Sequence, residues 1–427
     1  MGEPTAMSTG CTPAIDAAAD RDATQESPTR RLRYTEYRGV GFADGSAVGL
    51  VPGEQGIGFG KATHIRDHSD PHGDDTPRRY VAGTWTSPVV RPGFAYTELV
   101  ASWQADTPGA SWLELAVQVS GDAGTGDPET DGDGDGTWYP LARWAEDDGA
   151  LRPASVPFSD RTGRTSTDAF IARRTDLTGY RIRVTLLRPF GSTDVPVLTS
   201  VGVIASAGPA SSGAQDGPGT VAAAGGRTLD VPVSSQRAHS GQYPHWDGGG
   251  DAWCSPTSTS MVLRFWETGP EPQDYAWVRA DYADGFIHHA VRHCYDYSFT
   301  GTGNWAFNTA YAARYGLSAF VTRLRNLAEA ELFVAAGIPL VASIRFAPGE
   351  LTGADYPTNG HLLVVVGFTA SGDVVVNDPA APQRDTVRRT YDRHEFARAW
   401  LGGSGGAVYV IRPPHVALPT SPTEPNW

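Results

Sequence analysis

The sequence predicts two domains of different class, an all-β sandwich followed by an α+β domain of helices plus antiparallel sheet. Three observations carry that expectation. The chain has 427 residues, more than a single hydrophobic core usually organises. Its apolar pattern alternates in the first half and turns helical in the second. Between the halves lies ASAGPASSGAQDGPGTVAAAGGRT (205–228), a Gly/Ala/Ser/Pro stretch whose only large apolar residue is Val221. These features divide the chain into a flexible tail (1–30), the sandwich as an accessory domain (31–205), a linker (206–228), the α+β domain (229–413) and a C-terminal tail (414–427).

Each element has its own signal. Residues 1 to 30 are rich in Ala, Asp, Thr and Pro without periodicity, the composition of an unfolded tail. YTELVASWQA, SWLELAVQVS, TWYPLARWA and YRIRVTLLR alternate apolar and polar residues and are separated by Gly, Pro and Asp, as short sandwich strands are. In the second domain SPTSTSMVLRFW, GNWAFNTAYAARYG and NLAEAELFVAAG read as helices. HLLVVVGF, DVVVND and AVYVIR are β-branched strands, the first two joined by the hairpin connection TASG.

Bulk properties exclude several classes of function. Hydrophobic residues at 40%, with 12 Trp, 16 Tyr and 15 Phe, suffice for packed cores. The 34 basic against 48 acidic side chains give −14, which repels phosphate backbones and argues against nucleic acid. Lys61 is the only lysine, a bias read as compositional. Neither a signal peptide nor a run of 18 apolar residues occurs, so no membrane span is expected and the chain reads as soluble. Whether it is exported, secreted or held in the envelope is not legible. Three cysteines, Cys11, Cys254 and Cys294, cannot make a disulfide framework. Cys11 in STGC has no hydrophobic stretch before it and reads as a tail cysteine rather than a lipid anchor.

Chemistry concentrates at Cys254, in DAWCSPTSTSMVLRFW. Pro256 and a run of hydroxyl residues before Met261, Val262, Leu263, Phe265 and Trp266 mark a helix start. A thiol there meets the positive end of the helix dipole, which favours thiolate; the alternative is a small buried core cysteine. His361 opens the strand in NGHLLVVVGF and Asp378 closes the next in VVVNDPAAP, so a short turn brings imidazole and carboxylate together as a base and its orienter. Singly, His361 reads equally as a structural histidine and Asp378 as a turn former before Pro379. Asn377 is an alternative orienter, though it should point to the opposite face of its strand from Asp378.

The motifs VPVSSQ, WCSPTSTSMVL, AGIPLVASI, GHLLVVVGF and VVVNDPAAP occur in an order that resembles the branch of papain-like cysteine peptidases containing the bacteriocin-processing, double-glycine-leader peptidases. The resemblance covers about 229–413. It implies a papain-like fold, with Cys254 as nucleophile, His361 as general acid/base, Asp378 as orienter and Gln236 as oxyanion-hole donor. Two departures stand out. Cys254-Ser255-Pro256 replaces the family's Cys-Gly-Pro, and the segment from Gln236 to Cys254, RAHSGQYPHWDGGGDAW, is long, which leaves Gln242 as a rival to Gln236. No P-loop accompanies the domain, so the stand-alone form without transporter domains is implied. The expected activity is hydrolysis of peptide bonds in a peptide or protein substrate through a thioester acyl-enzyme, without a cofactor. The alternatives are another thiol acyl-transfer enzyme, transglutaminase-like or a cell-wall amidase, and a catalytically silent protein that binds through the sandwich.

Three other segments carry candidate sites. His289 and His293, in FIHHAVRHCY with His288 and Cys294, have the i, i+4 spacing of a metal pair but lack the Glu of HExxH, so a solvated or substrate-lining helix is expected. The acidic run at 127–138 begins like a calcium loop, yet position twelve from Asp131 is Ala142, so a hairpin loop is expected. Trp85, Trp103, Trp112, Trp138 and Trp144 could offer a carbohydrate platform, although alternating strand aromatics more often form core.

Overall fold

The computed structural model describes residues 30–61, 64–121, 136–208 and 225–427. Cys11, the tail at 1–29, the acidic run at 127–135 and the bulk of the 206–228 linker lie outside the described residues.

The N-terminal region is β-rich and antiparallel. One seven-stranded sheet is centred on Glu98–Asp106 and Val197–Ala207, the other on Trp112–Gly121 and Leu177–Pro189. Strand residues alternate because successive side chains leave opposite faces of a strand. Thus Tyr180, Ile182, Val184 and Leu186 of one sheet share a core with Leu99, Ala101 and Trp103 of the other. Trp85, Trp103, Trp112 and Trp144 are all within 2% of full burial. That corrects the stacking-platform reading: these indoles fill cores, and only Trp138 lies partly open, with the Arg183 guanidinium 3.7 Å above its ring.

The C-terminal region combines helices with a six-stranded antiparallel sheet in the order 318–323, 407–412, 340–346, 358–368, 374–377, 388–391. Its helices are α1 (Cys254–Phe265), α2 (Gly285–Cys294), α3 (Trp305–Ala313), α4 (Leu327–Ala335) and α5 (Arg393–Ala397). The predicted hairpin joins strands Thr358–Phe368 and Val374–Asn377, closed by Gly372 N–H on Thr369 O at 3.0 Å and Thr369 N–H on Asp373 O at 2.9 Å. Gly372 adopts φ 93°, which glycine reaches without a Cβ clash. The last residues pack back onto the domain, with Asn426 fully buried and donating to Arg323 O and Glu329 Oε2.

The two regions share a core at α3. Ala306, Phe307 and Ala310 of that helix belong to the core between the N-terminal sheets, and Phe307 meets Trp103 edge-on at 6.0 Å. The Asp168 carboxylate, from the β-rich region, accepts the Trp305 N–H at 2.7 Å and so satisfies a donor at the start of α3. Buried Arg323 pairs with Glu98 at 2.7 Å across the same boundary. Among the described residues no helix is long and apolar enough to cross a membrane.

Candidate functional site

Cys254 is the first residue of α1, and α1 lies against the strand that carries His361. Leu362, next to His361, is pinned by the helix on both backbone groups. Its N–H reaches Cys254 Sγ at 3.4 Å and its carbonyl accepts the Ser258 hydroxyl at 3.0 Å. This double tie sets the thiol beside the imidazole, and the two side chains are hydrogen-bonded. His361 Nε2 meets Asp378 Oδ1 at 2.8 Å, which leaves Nδ1 as the ring nitrogen for the sulfur. The structure therefore brings Cys254, His361 and Asp378 together.

Asp378 is fully buried, and both of its oxygens are hydrogen-bonded. Oδ1 also accepts the Ala380 N–H at 2.9 Å, and Oδ2 accepts the hydroxyls of Tyr356 and Tyr391, each at 2.7 Å. Burial alone would raise its pKa, but His361 and the two phenols outweigh it and hold the carboxyl far below the ordinary carboxylate range. Burial likewise opposes a charge on His361. The Asp378 charge and hydrogen bond, with the Cys254 contact, overcome that penalty and lift the imidazole to about 9. An imidazole that holds its proton beside a sulfur is suited to a thiolate–imidazolium pair.

Gln236 and Gln242 have different surroundings. Gln236 is buried in a single 3₁₀ turn (Gln236–His239), where its Nε2 donates to Asp251 O at 2.6 Å, three residues before Cys254. Among the described residues its buried Oε1 has no hydrogen-bond partner, and its amide keeps a second N–H. Gln242 instead accepts from His288 Nε2 at 2.7 Å and lies 3.2 Å from His239 Nδ1, which commits its carbonyl to the histidines. Asn377 points away from His361: its Nδ2 donates to Val231 O and Pro232 O, and its Oδ1 accepts from Arg388 at 2.6 Å. With Gln236 N–H on Pro379 O and the Ser235 hydroxyl on Ala381 O, these bonds fasten VPVSSQ onto NDPAAP. Ser255, where a glycine was expected, is buried and paired with the Tyr409 hydroxyl at 2.8 Å.

α2 departs from the solvated or substrate-lining helix that its sequence suggests. His288, His289 and His293 are buried, His289 against the Tyr311 hydroxyl at 2.9 Å and His293 against Glu146 O at 2.7 Å. Burial, and then neighbouring cations, lower both His289 and His293 to about 3, so they stand neutral. Cys294 is a fully buried core residue, and that burial pushes its thiol well up. Among the described residues no group of three or more His, Cys, Asp or Glu could hold a metal ion.

Tyr356 and Tyr391 were missed by sequence reasoning. They lie 22 residues before and 13 after Asp378, on a loop and on the edge strand Arg388–Tyr391, with nothing in their spacing to connect them. Their only signal is the type itself, a phenol that keeps a donor when its ring is buried.

Comparison with known families completes the site. Residues 33–206 match the family described as Peptidase C39 N-terminal domain, and residues 228–408 match the Peptidase_C39 like family. No curated protein matches the chain. Both matches, with a buried cysteine and histidine side by side in the second segment, support kinship to the C39 peptidase family, and that family implies cysteine peptidase activity.

Proposed function

We propose that the protein hydrolyses peptide bonds with Cys254 as nucleophile, His361 as general acid and base and Asp378 as its orienter. The observation that carries this reading is the hydrogen-bonded line Cys254–His361–Asp378, with Asp378 held charged by His361 and two tyrosines. The Cys254 thiolate attacks the amide carbonyl, and His361 gives its proton to the leaving amine. The resulting thioester is hydrolysed by water activated by the same imidazole. The developing oxyanion is received by the Cys254 backbone N–H and the second N–H of Gln236, a donor worth about 10²–10³ in rate. Kinship to the bacteriocin-processing branch rests on the order of the motifs, and no observation favours transglutaminase-like acyl transfer or cell-wall amide hydrolysis over cleavage of peptide substrates.

Incubating the full chain with a peptide library, and reading products by mass spectrometry, tests the proposal. The wild type yields new peptide termini and is labelled at Cys254 by a thiol-directed probe, whereas Cys254→Ala yields neither. Undiminished cleavage by Cys254→Ala would sink the reading.

A further inference from the structure

The segment between Gln236 and Cys254 places one more carboxyl group at the nucleophile. Asp247 lies in it with φ 53°, the left-handed region, where a non-glycine residue stores strain of about 1 kcal/mol. The turn is fixed by Gly248 N–H on Pro244 O at 3.1 Å and Gly249 N–H on Trp246 O at 3.1 Å. It aims the carboxylate at Thr302, whose N–H and hydroxyl reach Oδ2 at 3.0 and 3.4 Å. The same hydroxyl donates to Ala252 O at 3.2 Å, two residues before Cys254. Thr302 occupies one oxygen of the carboxylate, and among the described residues no Arg, Lys or His pairs with it. The group is only partly buried, so it is open to a ligand.

An acid in this position has a cost that a ligand can remove. Burial, and then the charge of Cys254, raise Asp247 to about 6 against the Thr302 hydrogen bonds. Arg237 is paired with Asp251 and His361 with Asp378, so neither of these cations is committed to Asp247. Trp246, its neighbour in the chain, packs against Tyr243 and the partly exposed Trp277, each at 5.5 Å, and the Arg292 guanidinium lies 5.6 Å over the Trp277 ring.

We propose that Asp247 is a specificity-determining residue that receives the positive charge of a lysine or arginine next to the scissile bond of the substrate. The inference rests on the peptidase reading above, and two independent measurements separate the two. The first compares kcat/KM for matched peptides carrying lysine or its uncharged isostere norleucine at the residues flanking the bond. Wild type favours lysine by about tenfold or more, the size of one charge-assisted contact. Asp247→Asn loses that preference, and Asp247→Glu keeps part of it. An equal loss on both peptides would show a structural role and overturn the proposal.

The second measurement needs no peptide substrate. Cys254 of the full chain is modified with a cationic methanethiosulfonate and with its neutral analogue, and the site is verified by peptide mapping. The cationic reagent reacts faster with wild type, and the ratio of the two rates falls towards one in Asp247→Asn. A ratio unchanged by the substitution overturns the proposal even if peptides are cleaved. A ratio that responds while no peptide is cleaved upholds the charge-receiving site and sinks the peptidase reading instead.

Discussion

Two groups of buried histidines in this protein face water equally little and yet hold opposite charge states. His361 is 4% exposed, and His289 and His293 are 4% and 8% exposed. His361 titrates at about 9 and the α2 pair at about 3. Burial lowers the pKa of all three, so burial does not choose between them. The neighbour does: Asp378 faces His361, whereas Arg314 and Arg292 bear on His289 and His293. One buried carboxylate, itself held by two phenols, turns a site that would reject a proton into one that keeps it.

The largest effect expected from breaking this contrast comes from Asp378→Asn. It removes the charge but keeps the shape, so His361 should titrate lower and cleavage should fall by about 10³–10⁴, as when a triad carboxylate is neutralised. NMR titration of the histidines together with kcat measures both, and cleavage within tenfold of wild type would mean that Asp378 does not orient a catalytic base.

Next comes the pH dependence of stability, where the two groups act in opposite directions. The unfolded chain protonates histidine near 6.5, while His361 in the fold holds its proton to about 9. Its stabilising contribution is therefore complete below about 6.5 and disappears as pH rises through about 9. His289 and His293 refuse protons until about 3, so below 6.5 the unfolded chain gains protons that the fold does not, and stability falls as pH drops from 6.5 towards 3. Denaturant melts across pH should show both losses. In a His293→Gln variant the acid-side loss should shrink while the alkaline one stays; an unchanged acid side would contradict the assignment.

The smallest expected effect is that of Tyr391→Phe or Tyr356→Phe. Each deletes one of two hydroxyl donors to Asp378 Oδ2, at about 1.5–3 kcal/mol for a hydrogen bond to a charged group. Denaturant titration measures that loss, and an unchanged midpoint in the double substitution would mean that the phenols pack against the carboxylate without holding its charge.

The sequence made the helix of Cys254 legible because Pro256 and the hydroxyl run mark a helix start, and α1 begins at Cys254. The pairing of His361 with Asp378 was legible because a hairpin turn of known length fixes which residues of two strands are neighbours. What could not be read are contacts made across long sequence separations by residues whose local pattern is ordinary. Tyr356 and Tyr391 look like any loop and strand aromatics. The histidines of α2 show the i, i+4 spacing of a metal pair, but spacing does not say whether a helix face meets water or core. α3 gave the least warning: Trp305 through Ala312 are all buried, so the helix has no polar face to indicate that part of it serves the other region.

That helix has a consequence for how the two family segments can exist. A gene break in the connection near residue 228 would separate the polypeptide but not the packing, since Phe307 fills a hollow made by the first half and Asp168 closes the end of a helix made by the second. Each product would keep most of its own core, but one would expose the α3 face that carries Phe307 and the other the hollow that receives it. A shuffled second half would therefore have to find a first half whose hollow was cut to the same helix.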